Sequence, residues 1–203
     1  MNKLDHKQIF KELYKPSSKE ISIVDVPSIN FLMIDGHGDP NTSESFKNAI
    51  EALYSVAYAL KFMSKKGDLG QDYVVMPLEG LWWSEDMDSF TAGNKELWDW
   101  TLMIMQPDFI SKEMVISAIA EVQKKKNPTD LDKIKFEAFA EGKCAQILYI
   151  GPYSEEKSSI DKIHEAITEQ GKTCSGKHHE IYISDARKTA PEKLKTILRQ
   201  PFN

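Results

Sequence analysis

The chain has 203 residues, is 41% hydrophobic and carries a formal net charge of −5. That length and apolar content suffice for a packed core, and an acidic balance argues against a nucleic-acid binder, since phosphate recognition normally leaves a basic face. No run approaches the 18 apolar residues of a membrane span, and the start MNKLDHKQIFKELYK lacks a signal-peptide hydrophobic region, so the expected compartment is the cytoplasm.

Residues 1–19 are polar and mixed in charge, and read as a short helix or arm ending in the linker KPSSKE. The stretch EISIVDVPSINFLMIDG gives two short strand-like runs separated by Pro27 and Ser28. A helix follows over about 43–64, with Asn41 and Glu44 at capping spacing and Phe46, Ile50, Leu53, Ala57 and Leu60 along one stripe. Two strands, DYVVMPLEGLWWSED and ELWDWTLMIMQPDF, read as a hairpin turning around Ser89 to Asn94. SKEMVISAIAEVQKKKN is a connecting helix over about 111–126, whose terminal Lys124, Lys125 and Lys126 form a solvated end.

The second part begins as strand, turn, strand in KIKFEAFAEGKCAQILYIG, with Glu141 and Gly142 as the turn. A third helix is capped by Ser154, striped by Ile160, Ile163 and Ile167 and stopped at Gly171; a strand KHHEIYISD follows. TAPEKLKTILRQPF reads as a short last helix, with Thr189 and Glu192 at capping-box spacing.

The order strand, helix, then a strand bearing a glutamate occurs in both parts, around LEGLWW with Glu79 and around HEIYIS with Glu180. As a repeat, this order makes a pseudo-twofold α+β domain in which two sheets with helices on one side leave a concave face between the halves. The domain organisation expected is an arm over 1–19 and one domain over 20–203, with halves of about 20–110 and 130–203.

Alternation along a strand puts Glu180, Tyr182 and Ser184 on one face and Ile181 and Ile183 on the other. The isoleucines are expected under the helices, leaving Glu180 and Tyr182 on the opposite face, which is either solvent or groove. Glu79 is expected as the counterpart of Glu180, in a wall formed with Trp82, Trp83, Trp98 and Trp100, four tryptophans within nineteen residues. Strand tryptophans are more often core than ligand wall, and a strand glutamate is more often solvated. Their coincidence here favours a pocket, because aromatic faces attract cations and stack on flat rings. Strands that are apolar on both faces need a second cover, either a ligand groove or a partner subunit, as in a homodimer. The run His178-His179-Glu180 is no metal site, since neighbouring strand residues face apart and no H-E-x-x-H follows. His37 between two glycines reads as an exposed turn residue, His164 as a half-buried structural one, and Cys144 and Cys174 as free thiols.

In GKHHEIYISDARKTAPEKLKTILRQPF, together with LDKIKFEAFAEGKCAQILYIGPYSEE, the chain resembles the gyrase-inhibitor-like (GyrI-like) small-molecule-binding proteins from about residue 20 onward. More narrowly it resembles their stand-alone branch, which includes cyclopropanoid cyclopropyl hydrolases. The resemblance implies an α+β fold of duplicated βαββ modules with pseudo-twofold symmetry, antiparallel sheets with helices on one side, and a concave groove between the halves for hydrophobic aromatic or cationic small molecules. The acidic charge argues against a nucleic-acid partner, and relief of ring strain lets the reaction run with no cofactor. It implies Glu180 and Tyr182 as catalytic groups and an aromatic cage drawn from Trp82, Trp83, Trp98 and Trp100. The activity it implies is hydrolysis of the cyclopropane ring of DNA-alkylating cyclopropanoids, giving cellular protection. The alternatives it leaves are a non-catalytic drug-sequestering module and a gyrase-binding module.

Overall fold

The computed structural model describes residues 3–84 and 94–203. Two four-residue helices, α1 (His6–Ile9) and α2 (Lys11–Tyr14), precede β1 (Ser22–His37), α3 (Glu44–Lys66), β2 (Glu79–Trp83) and β3 (Asp99–Gln106). Then come α4 (Lys112–Lys125), β4 (Lys135–Ile150), α5 (Lys157–Glu169), β5 (His178–Tyr182) and β6 (Lys195–Pro201). The order βαββ therefore occurs twice, with α4 between. The parallel extends to length: β1 and β4 both have 16 residues, and β2 and β5 both have 5. In each repeat the first strand pairs antiparallel with the third, β1 with β3 and β4 with β6. The expected α+β class with antiparallel pairing holds.

Several local expectations differ from the structure. Pro27 does not divide two strands, because β1 runs through it. Glu141 and Gly142 do not reverse the chain: β4 continues past Gly142, whose φ of 75° puts a left-handed kink inside a long strand. TAPEKLKTILRQPF forms only a 3₁₀ turn, Pro191–Lys193, before β6, because strands β4 and β5 both offer it a hydrogen-bonding edge. Ser43, rather than Asn41, caps α3 by accepting from the Phe46 amide at 3.3 Å, and Ser154 lies in a 3₁₀ turn ahead of α5. Of the expected hairpin turn, residues 89–93 lie outside the described residues.

The chain forms two compact units: Met1–His6, Ile29–Leu78 and Trp83–Phe139 in the first, and Lys7–Ser28, Glu79–Trp82 and Ala140–Asn203 in the second. In the first, α3 packs on β3 and α4. Leu53, Val56, Ala57 and Leu60 of α3 are fully buried, as are Leu32, Ile34, Leu102 and Ile104 of the strands and Ala118 of α4. The stripe expected for α3 supplies three of these residues.

In the second unit four strands pair antiparallel in the order β2, β5, β6, β4. On one face Ile163 and Ile167 of α5 pack with Ala145, Ile147, Leu198 and Phe202. Leu13 and Tyr14, at the end of α2, are also buried. Among the described residues no helix is long and apolar enough to cross a membrane.

Candidate functional site

Strands β2 and β5 of the second unit carry the candidate residues, and their register sorts them. Gly80 lies opposite Glu180, and Trp82 opposite His178, while Glu79 lies opposite Ile181 and Leu81 opposite His179. Residues opposite one another in an antiparallel pair share a face. Gly80, Trp82, His178, Glu180 and Tyr182 therefore occupy one face; Glu79, Leu81, His179 and Ile181 occupy the other. The two glutamates point to opposite sides of the sheet, contrary to the expectation that both reach one groove. Leu198, opposite Glu180, packs against α5. Glu180 and Tyr182 thus share the helix-bearing face, and Ile181 does not.

Behind that face, Glu79 sits in a buried ionic cluster. Tyr14 donates its hydroxyl to Glu79 Oε1 at 2.7 Å, and His179 Nε2 meets Glu79 Oε2 at 3.0 Å. The other ring nitrogen, Nδ1, lies 3.0 Å from Glu141 Oε2, to which Arg199 Nη1 donates at 3.2 Å. Arg199 also donates to Gln146 Oε1 at 2.9 Å and to the Leu13 carbonyl at 2.7 Å. Glu79, Glu141 and His179 are each only 1% exposed at the side chain, and Arg199 2%.

Carboxylates flank both nitrogens of His179, an arrangement that favours the imidazolium, whose two N–H groups can both donate. Two positive groups then balance two negative ones, which is the condition for burying charge. Burial opposes the charge on His179, but Glu141 and the hydrogen bonds that the ring donates to both carboxylates override it and raise its pKa to about 9. Burial likewise opposes ionisation of Glu141, yet His179 and Arg199 hold it below the ordinary carboxylate value. Glu79 is tolerated between apolar neighbours because this cluster satisfies both of its oxygens.

The helix-bearing face differs. Trp82 Nε1 donates to the Tyr182 hydroxyl at 3.2 Å, and that hydroxyl donates to Glu180 Oε2 at 2.7 Å. Glu180 is 16% exposed at the side chain, and its Oε1 lies 3.6 Å from His178 Nε2, beyond hydrogen-bond reach. The exposed ring of Tyr153 stands edge-on to Tyr182, with centroids 5.7 Å apart. Burial and the charge of Glu180 push the Tyr182 hydroxyl well above its ordinary range, and the Trp82 N–H pulls it back. A carboxylate bonded through one oxygen to a phenol, and partly open to solvent, can accept and return a proton.

Of the expected site residues, Glu180, Tyr182 and Trp82 come together, and Glu79 belongs to the ionic cluster. Trp83, Trp98 and Trp100 belong to the first unit. Trp100 is 1% exposed, lies edge-on to Phe46 and covers Gly36, where a Cβ would come within 2.1 Å of its ring. It is a core residue. Trp83 and Trp98 are half-buried, the latter with Lys95 5.4 Å from its ring centroid. His164 is half-buried, and burial lowers its pKa, as expected of a structural histidine. Among the described residues no three His, Cys, Asp or Glu side chains are grouped to hold a metal ion. A surface groove of about 540 Å³ runs beside α5 and β4, lined by Lys19, Ile21, Ile147, Tyr149, Lys162 and Glu165, and includes neither Glu180 nor Tyr182.

The cluster residues Tyr14, Glu141, His179 and Arg199 escape the sequence reading. The available signal was charge in the interior of strand-like runs, FEAFAEG and TILRQP, which the turn and helix assignments masked.

No curated protein matches the chain. Three crystal structures from Listeria innocua do. An uncharacterized conserved protein is 41% identical, with a TM-score of 0.91 and coverage of 99% of this chain and 100% of that one. A hydrolase is 39% identical with a TM-score of 0.87, covering 99% of this chain and all of that one. A further hydrolase structure is 40% identical with a TM-score of 0.89, covering both chains completely. The model of the GyrI-like small-molecule-binding domain matches residues 19–201, and the chain belongs to that family.

Proposed function

We propose that the protein is a hydrolase of small molecules that opens the strained cyclopropane ring of DNA-alkylating cyclopropanoid compounds, and so protects the cell that makes it. The observation that carries this reading is the 2.7 Å hydrogen bond between Tyr182 and Glu180 on a partly open face. Support also comes from the two Listeria innocua hydrolases, at 39% and 40% identity over nearly the whole chain.

The chemistry follows from the pair. Glu180 Oε1 takes a proton from water as the water oxygen bonds to a ring carbon. The ring carbon–carbon bond breaks, and its electron pair moves through the conjugated system to the carbonyl oxygen. Tyr182 gives its proton to that oxygen as negative charge develops, and the proton that Glu180 took from water returns to Tyr182 once rotation of the carboxyl group brings it to the oxygen facing the phenol. The water is consumed, both protein groups return to their starting states, and relief of ring strain drives the step. Tyr153 offers the substrate's aromatic body an exposed ring to rest on.

The test is incubation of catalytic amounts of protein with a cyclopropanoid alkylator in ¹⁸O-labelled water, followed by mass spectrometry. Many turnovers of ring-opened, labelled product are expected. Tight binding, seen as quenched tryptophan fluorescence without product, would replace the hydrolase by a sequestering module.

A further inference from the structure

An aromatic residue near a ligand site is ordinarily assigned to stacking, and Trp82 fits that role poorly. It is 4% exposed, so its ring offers almost no face to a ligand. Its one polar atom, Nε1, is directed instead at the Tyr182 hydroxyl, 3.2 Å away. That hydroxyl has one proton to give, and gives it to Glu180. Accepting from the indole leaves the hydroxyl proton free to point at the carboxylate.

Gly80 makes the arrangement sterically open. A Cβ on residue 80 would come within 2.8 Å of Trp82 Nε1 and 3.3 Å of the Tyr182 hydroxyl. The first distance is shorter than real Cβ contacts, so the indole would have to move. No left-handed backbone is needed at this glycine; its role is to leave space. Residue 80 is also directly opposite Glu180 in the register.

We infer that Trp82 is a positioning residue whose indole N–H orients the Tyr182 hydroxyl toward Glu180, and that Gly80 keeps open the space this bond needs. This rests on the hydrolase reading for its catalytic consequence but not for its geometry. A donor on the tyrosine oxygen also stabilises the negative charge that the oxygen acquires as it hands its proton on, and hydrogen bonds to charged groups are among the stronger ones.

Two readouts test it. In ¹H–¹⁵N spectra the Trp82 indole resonance, assigned by its loss in Trp82→Phe, is expected to shift upfield and exchange faster in Tyr182→Phe and in Gly80→Ala. In turnover of the cyclopropanoid probe, Trp82→Phe keeps an aromatic ring, smaller than the indole, without the N–H. It is expected to lower kcat on the order of 10- to 100-fold with KM changed less than about 3-fold. A raised KM with unchanged kcat would make Trp82 a stacking wall and overturn the inference, as would an indole resonance unmoved by Tyr182→Phe. If the wild-type protein turns nothing over, the hydrolase reading falls, and the resonance alone decides the geometry. Should Gly80→Ala fail to fold, Tyr182→Phe and Trp82→Phe still decide it.

Discussion

Glu79 and Glu180 stand on paired strands, one step apart in register, on opposite faces of one sheet. Glu79 is enclosed, with a tyrosine on one oxygen and an imidazolium on the other, inside a cluster whose charges cancel. Glu180 is partly open; a phenol holds one of its oxygens, and the other lies 3.6 Å from the His178 ring. The same side chain thus has two uses. Where charge is balanced and dry it fastens strands and the end of α2 together; where it is unbalanced and reachable by water it has a proton affinity to employ. The alternation of a β-strand is what allows both to be built from adjacent residues, His179 serving one face and Glu180 the next.

The comparison breaks most decisively at Glu180. Glu180→Gln and Tyr182→Phe are each expected to cut turnover by about 100- to 10,000-fold, the range for acid–base groups; Glu180→Gln moves the urea midpoint little, and Tyr182→Phe costs about 1 to 3 kcal/mol through the hydrogen bonds its hydroxyl makes. Steady-state rates on the cyclopropanoid probe, paired with denaturation curves, check both halves of that statement. On the other face Arg199→Met leaves Glu141 facing His179 alone and strips donors from Gln146 and the Leu13 carbonyl. Loss of one partner from a buried ionic cluster is expected to cost about 3 to 5 kcal/mol in urea unfolding. Tyr14→Phe removes one hydrogen bond from a buried carboxylate, and about 1 to 3 kcal/mol is expected by the same measurement.

The pH dependence of stability is the most diagnostic of the cluster's charge. A histidine held at about 9 in the folded chain, against an ordinary 6.5, contributes stability that is complete below about 6.5. That contribution is lost as pH rises through about 9. The lowered pKa of Glu141 has the opposite sign, present above its ordinary carboxylate value and lost as pH falls through the folded one. Thermal melts from pH 6 to 10 are expected to show a decline toward the alkaline end that is flattened in His179→Leu.

The sequence made the pairing of Glu180 with Tyr182 legible because a single rule governs it, but it put the isoleucines, not this pair, under the helices, and the pairing of β5 with β6 reverses that assignment. Alternation in HHEIYIS puts Glu180 and Tyr182 side by side, and their hydrogen bond follows from that spacing. The three long helices were legible for a similar reason, since Leu53, Ala57 and Leu60, or Ile163 and Ile167, recur at helical spacing and are buried. The ionic cluster was not, because its members come from five segments and no local pattern joins them. Gly142 carries the signal of a turn, and only the pairing of β4 with β6 shows that the chain kinks and continues, seating Glu141 beside His179 and Arg199. Likewise Thr189 and Glu192 suggest a helix start, yet the edges of β4 and β5 draw the following residues into β6. Tertiary pairing overrode local propensity at both places.

The measurement that tests the division of labour most directly is kcat per folded molecule for Glu79→Gln and Glu180→Gln, assayed side by side on the cyclopropanoid probe with their urea midpoints. Glu180→Gln is expected to fold as the wild type does and turn over almost nothing, and Glu79→Gln to be destabilised while its folded fraction works at close to the wild-type rate. A well-folded Glu79→Gln protein without activity, beside an active Glu180→Gln, would place the chemistry on the other face of the sheet and contradict the account.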